Sequence, residues 1–337
     1  MKKMLTLILA LALAVSFTSF ASGEAEYSAD DPFIIRYGHN SSEPTDQQYI
    51  YANRFKEIVE EATEGRVIVE VYPNQLGSVT EMVDMLKNGT LTMMSTDFAN
   101  LQPYLLDAGV FCVPYTFRSE QHAVDACNPE KSTVMQEVNE KLIDVAGMRF
   151  LGGFYRGTRE LTCNSPIYGP EDLQGVKIRG VTADLWTVML EGMGAIPTAI
   201  DYSELATALM TNVVQGQENP LNVIYANKLW EVQEYCMMTN HMYSVLCMVF
   251  NEAAFQDLTA EDQAIVQKTV TDICDASVAE GMAAEEAARA ELEKLGMIFI
   301  TEEDGLDNAA FQEGVQEKLR EKYPDWAGYI EDFMAME

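Results

Sequence analysis

The chain has 337 residues, with 22 basic against 53 acidic side chains and a formal charge of −31. A field of that sign repels nucleic acid and anionic lipid, so neither is expected as a partner, and it opposes an anionic ligand unless positive charge is gathered locally. The length exceeds what one hydrophobic core usually fills, so two domains are expected.

At the start, Lys2 and Lys3 precede an apolar run from Leu5 to Val15, and small residues follow at Ser19 and Ala21. The pattern predicts a secretory signal over 1–21, cut after Ala21, and hence a periplasmic protein. A lone membrane anchor is the alternative, but the apolar core is shorter than the ~20 residues that span a bilayer. Loss of Lys2 and Lys3 takes the formal charge from −31 to −33. The six cysteines, at 112, 127, 163, 236, 247 and 274, have neither CxxC nor zinc-finger spacing. They read as buried free thiols, with one or two disulfides after export as the alternative.

FIIRY (33–37) and VIVEV (67–71) read as strands. Between them Thr45 and Gln48 suit a capping box, and Ala52, Phe55, Ile58, Val59 and Ala62 form a helical stripe that Gly65 can close. Strand, helix, strand is the unit of a mostly parallel sheet. A second helix, capped by Ser78 with Glu81, runs to Asn88 and Gly89, and LTMMS (91–95) is the next strand.

RFLGGFY (149–155) ends the first block, and a second repeats its logic: VKIRG a strand, TADLWTVMLEGMG a helix, IPTAI a strand, YSELATALM a helix leading to VVQGQENP (213–220). EYCMMTN and MYSVLCMVF are two further strands, the second apolar enough for the centre of a sheet. From Thr259 to about Leu295 the pattern is helical, and Gly281 marks the place for a bend or break. GMIFIT and a polar tail follow, with Trp326, Tyr329 and Phe333 packing as a terminal helix.

Of ten arginines, Arg149, Arg156, Arg159 and Arg179 fall within 31 residues. Arg159 follows FYRGT and Arg179 ends VKIR, where strands meet loops, the edge at which open α/β sheets hold ligands. A guanidinium fork matches the two oxygens of a carboxylate. The alternative has these arginines paired with Glu160, Glu171 and Asp172 on a solvated face. In VVQGQENP, buried Gln217, Glu218 and Asn219 need partners. Asn219 can orient a carboxylate or hydroxyl. Gln217 and Glu218 either meet ligand hydroxyls or satisfy an arginine or backbone inside the domain, because alternation keeps adjacent Glu218 and Asn219 on different faces.

YPNQLGS with Gly89-Thr90-Leu91, then GTRELTCNSPIYGPEDLQGVKIRG, then VVQGQENP together resemble the dicarboxylate-binding solute-binding proteins of tripartite ATP-independent periplasmic (TRAP) transporters, from about Ile34 to the tail. The resemblance implies two α/β domains of periplasmic-binding-protein type, joined by crossing strands and a long helix, with a ligand cleft between them. It implies bodies of 24–156 with 245–284 and 157–244 with 285–337. It also implies Arg179 as the bidentate carboxylate ligand, Arg159 and Asn219 beside it, and Tyr202 packing on the ligand. His39 is a candidate contact, with a structural hydrogen bond as its alternative, and Glu218 is a candidate through its own motif.

The implied work is capture by a monomer of a small organic acid and its delivery to TRAP membrane subunits for ion-driven uptake, with no catalysis, metal or cofactor. This chain departs from the family pattern at Gln215-Gly216, where an Asp-Gly pair is common. A periplasmic sensor feeding a membrane receptor would need the same pocket. An exported carboxylate-processing enzyme would need an acid/base pair, and the three histidines at 39, 122 and 241 lie in no H-E-x-x-H or G-x-S-x-G setting.

Overall fold

The structure, a computed structural model, describes residues 27–336. The expected signal over 1–21 and the start of the first body at 24 lie outside the described residues. In chain order come β1 (Phe33–His39), α1 (Gln47–Ala62), β2 (Val67–Pro73), α2 (Val79–Lys87), β3 (Met93–Asp97), α3 (Glu120–Ala126), α4 (Thr133–Ala146) and β4 (Met148–Cys163). Then follow β5 (Lys177–Gly180), α5 (Asp184–Gly192), β6 (Ile196–Ala199), α6 (Leu205–Met210), β7 (Gly216–Pro220), α7 (Leu221–Ala226) and β8 (Tyr235–Asn251). Last are α8 (Glu252–Gln256), α9 (Ala260–Lys294), β9 (Ile298–Ile300), α10 (Asn308–Lys322) and α11 (Ala327–Ala335).

The nine strands of the described residues join one sheet in the order β2-β1-β3-β8-β4-β7-β5-β6, with β9 against β8. Each end is an α/β lobe: β1 pairs in parallel with β2 and β3, and β5 in parallel with β6 and β7. The two strands expected at EYCMMTN and MYSVLCMVF are one 17-residue strand, β8, and RFLGGFY is the first half of the 16-residue β4. These two run antiparallel through both lobes. The expected two-domain fold with crossing strands and a long helix is what the chain forms, its strand breaks misread because polar and aromatic residues interrupt an apolar run without ending the ladder.

Register shifts in β4 at Phe150/Gly152, Tyr155/Gly157 and Arg159/Leu161 bend the strand at the crossover. At the second of these Gly157 sits at φ 139°, and a Cβ there would stand 2.6 Å from Cβ of Pro220, so only glycine fits. Helix α9 supplies partners along the bent strand: Gln267 donates to Leu151 O at 2.7 Å, Ser277 Oγ accepts from Tyr155 N at 2.8 Å, and Glu285 accepts from Thr158 N at 2.5 Å. The helix also packs on α1 in one lobe and α7 in the other, bracing both.

It runs unbroken through Gly281. The expected bend is absent because this glycine serves close approach: a Cβ would lie 2.6 Å from the Tyr155 ring. The cap of α1 also differs from expectation. Asp46 rather than Thr45 accepts from Gln48 N, at 2.9 Å, because Arg156 holds its other oxygen and fixes the carboxylate. Ser78 and Glu81 do form the capping box of α2.

The C-terminal end spans the lobes. Helix α10 packs on α5, whereas Phe333 of α11 packs on Phe111 and Phe117 of the first lobe, and His122 Nε2 meets Phe333 O at 2.8 Å. The tail expected wholly with the second body therefore divides between the two. All six cysteines are buried and free.

Candidate functional site

Where β4 crosses between the lobes, a narrow cavity lies between them. The first lobe contributes Asn40, Val79, Asp97 and Asn100, the crossing strand Arg156 and Arg159, and the second lobe Arg179, Thr182, Asp201, Tyr202 and Asn219. The sheet brings these together because β4, β5 and β7 are neighbours whose ends face the same opening.

Three guanidinium groups therefore share one wall, and their partners differ. Arg156 donates to Asp46 Oδ2 at 2.6 Å, an ion pair with both side chains buried. Arg159 grips Glu218 with two nitrogens, Nε to Oε2 and an Nη to Oε1 at 2.9 Å. The same Arg159 nitrogen reaches the Glu218 carbonyl at 3.0 Å and Asn219 Oδ1 at 3.3 Å. Arg149, the fourth of the clustered arginines, is held by Glu252 at 2.6 and 2.7 Å, away from the cavity. None of the four takes Glu160, Glu171 or Asp172, the partners expected for a solvated face.

Arg179 differs: its one hydrogen bond among the described residues is from Nε to Ile200 O at 2.9 Å, and no carboxylate lies within ion-pair distance. Its guanidinium carbon sits 5.8 Å from the centre of the Tyr202 ring. Burial lowers its pKa from the ordinary guanidinium value. For Arg159 burial pulls the same way, but Glu218 more than offsets it and the pKa rises. An arginine does not deprotonate in such a site, so the contrast measures an uncompensated charge at Arg179.

Glu218, expected as a ligand contact, is outside the cavity lining. Its carboxylate is fully committed: besides Arg159 it accepts from Trp186 Nε1 at 2.7 Å and meets His241 Nε2 at 3.1 Å. Burial raises its pKa, but Arg159 and the His241 bond prevail and hold it at about 2. Burial lowers the pKa of His241, so the ring is neutral. A carboxylate only accepts, which places the proton on Nε2 and leaves Nδ1 to accept from Thr239 Oγ1 at 2.9 Å.

His39, also expected at the ligand, is fully buried away from the lining, with Nδ1 accepting from Ser41 N at 3.3 Å. Burial lowers its pKa to about 4, so it too is neutral. Asn219 lines the cavity and donates to Gln217 Oε1 at 2.5 Å, the two sharing a strand face as alternation requires. The hydroxyl of Tyr202 is buried with no hydrogen-bond partner among the described residues, and burial pushes its pKa up to about 12. Gln215, at the departure from the family motif, accepts from Lys177 N at 2.9 Å on the exposed side and does not reach the cavity.

Sequence reasoning did not place Asp46, Asp97, Asn100, Thr182 or Asp201 here, and left Arg156 open between a ligand site and a solvated face. Asp97 sits 3.9 Å from Arg159, and burial raises its pKa despite that charge. A lone aspartate after LTMMST carries no signal distinguishing it from many others in an acidic chain.

The family described as bacterial extracellular solute-binding protein, family 7, matches residues 37–325. A solute-binding protein of Roseobacter denitrificans is 31% identical over 310 residues, 91% of this chain and 91% of the relative. The 2,3-diketo-L-gulonate-binding periplasmic protein of Escherichia coli is 30% identical over 260 residues, 74% of this chain and 76% of its own. Among solved structures, a TRAP periplasmic solute-binding protein from Roseobacter denitrificans with bound L-galactonate superposes with a TM-score of 0.82 at 28% identity, over 90% of this chain and 99% of that one. One from Haemophilus influenzae with bound L-gulonate gives 0.82 at 25% identity, over 90% and 100%.

Proposed function

The chain belongs to family 7 of the bacterial extracellular solute-binding proteins, the periplasmic capture component of TRAP transporters, and from that premise we propose that its ligand is a hydroxylated monocarboxylate, a sugar acid. The protein is a transport component, not an enzyme: it binds a small organic acid in the cleft between its lobes and delivers it to membrane subunits.

One observation carries the choice of ligand class. Of the three arginines lining the cavity, only Arg179 lacks a carboxylate partner among the described residues, so the site has one uncompensated cation for one carboxylate. The remaining polar lining consists of Asn40, Asp97, Asn100, Thr182, Asp201, Tyr202 and Asn219, donors and acceptors that suit hydroxyls. A C4-dicarboxylate would need a second free cation, and Arg156 and Arg159 are already engaged. The relatives with L-galactonate and L-gulonate bound agree in class.

In this reading Arg179 grips the carboxylate, Asn219 and Arg159 flank it, and the Tyr202 hydroxyl gains the partner it lacks. Ligand contacts from both lobes stabilise the closed state and shift an open-to-closed equilibrium. We take the moving bodies to be 24–156 with 245–284 and 157–244 with 285 onward save α11, which rides on the first lobe. We take the working form to be a monomer. Calorimetry against L-galactonate, L-gulonate and succinate tests the proposal: the sugar acids should bind and succinate should not, and tight succinate binding would overturn it. Light scattering of the eluted protein checks the monomer.

A further inference from the structure

We propose that Asp201 is the selecting and latching residue of the cavity, rejecting a second negative charge on the ligand while tying the two lobes together; this rests on the sugar-acid reading above. Segment 200–202 wraps the Arg179 guanidinium, since Ile200 O accepts from its Nε at 2.9 Å and the Tyr202 ring lies 5.8 Å away. The carboxylate between them nevertheless makes no ion pair with Arg179 among the described residues.

Local geometry keeps it away. Asp201 Oδ1 accepts from Ser203 N at 3.0 Å and from Ser203 Oγ at 2.8 Å, capping the short turn over Tyr202–Glu204. Its Oδ2 crosses the cleft to accept from Val79 N at 3.3 Å.

Val79 is the first residue of α2, where backbone N–H groups have no partner within the helix. The capping box serves Ser78 N, through Glu81 Oε2 at 2.7 Å, and Glu81 N, through Ser78 Oγ at 3.3 Å. Val79 N is left, and the opposite lobe supplies its acceptor. Separating the lobes breaks a charge-assisted bond at a helix N-terminus and returns both groups to water, so the contact belongs to the closed state alone.

The same carboxylate lines the cavity that holds Arg179. A ligand whose carboxylate sits on Arg179 shares the cavity with this anion. A hydroxyl there can donate to it, whereas a second carboxylate is repelled and left unpaired.

The test compares wild type, Asp201→Asn and Arg179→Ala against L-galactonate and galactarate, the diacid of the same carbon skeleton. Asparagine keeps one oxygen for the cap of Ser203 but loses the charge and the second acceptor. We expect Asp201→Asn to release L-galactonate about tenfold faster in stopped-flow measurements, the scale of one charge-assisted bond, and to narrow the preference for galactonate over galactarate about tenfold. Exchange of the Val79 amide in the liganded protein should accelerate by a similar factor. Unchanged release and unchanged preference in Asp201→Asn, with Arg179→Ala still abolishing binding, would overturn the proposal. A wild type that binds neither acid sinks the sugar-acid reading and the selecting role with it. Amide exchange at Val79 then decides the latch by itself, and a rate indifferent to Asp201→Asn refutes it.

Discussion

Arg159 and Arg179 stand on neighbouring parts of one cavity wall, in one sheet, with nearly equal burial at 1% and 2% exposure. The first is surrounded by its own counter-ion: Glu218, with Trp186 and His241 behind it, absorbs the charge. The second has a carbonyl and an aromatic ring but no anion. Two copies of one residue type thus divide the labour, one holding the site's frame and the other exposing an unmet charge. Burial makes an arginine costly in both places, and only the neighbours decide whether the protein or a solute offsets that cost.

The sharpest way to break this contrast is to remove the internal anion. Glu218→Ala strands Arg159 in the interior and should destabilise the fold by about 3–5 kcal/mol, read as a lowered midpoint in chemical denaturation. Arg179→Ala should do the reverse: affinity for the sugar acid falls by about 2–5 kcal/mol, while the stability of the ligand-free protein is unchanged or rises. If calorimetry found Arg179→Ala binding as wild type, the division of labour would be wrong. Tyr202→Phe is a smaller probe. Because the hydroxyl has no internal partner, its loss should cost about 1 kcal/mol of affinity and leave the unliganded melting temperature unchanged.

Two glutamates, one buried and one half-buried, sharpen the comparison through pH. Against the pull of burial, Arg159 and the His241 bond hold Glu218 at about 2, below the ordinary carboxylate value of 4.5. Between those values the unfolded chain binds more protons, so the stability Glu218 supplies is intact above pH 4.5 and is lost as pH falls toward 2. Glu285, on α9, accepts from Tyr155 Oη and Thr158 N at 2.5 Å, yet burial, with Glu120 nearby, raises it to about 7. Here the native state binds more protons, so its contribution is present below pH 4.5 and is lost as pH rises through 7. Glu285→Gln should therefore flatten the decline in melting temperature between pH 5 and 7, the smallest of these effects. A pH profile identical to wild type would remove Glu285 as the cause.

Much of this was legible in the chain. The capping box at Ser78 and Glu81, the short strands around Arg179 and Asn219, and the long helix all rest on interactions within a few residues, which spacing reveals. What was misread depended on distant neighbours. Gly281 looked like a break because its reason, the Tyr155 ring, lies more than a hundred residues earlier. Arg156 stayed open between a ligand and a surface partner because Asp46 reaches it only after the lobe folds. Glu218 looked available because nothing near it in sequence announces Arg159, Trp186 and His241.

By itself the sequence determined the elements, their alternating order and the residue types that an acid-binding cleft requires, since periodicity, caps and side-chain chemistry are local properties. Tertiary structure alone decided which arginine is left without an anion, which glutamate is spent inside, and which aspartate reaches across to the other lobe. Those outcomes depend on distances between groups far apart in the chain, and an unpaired charge is defined only once every neighbour has been placed.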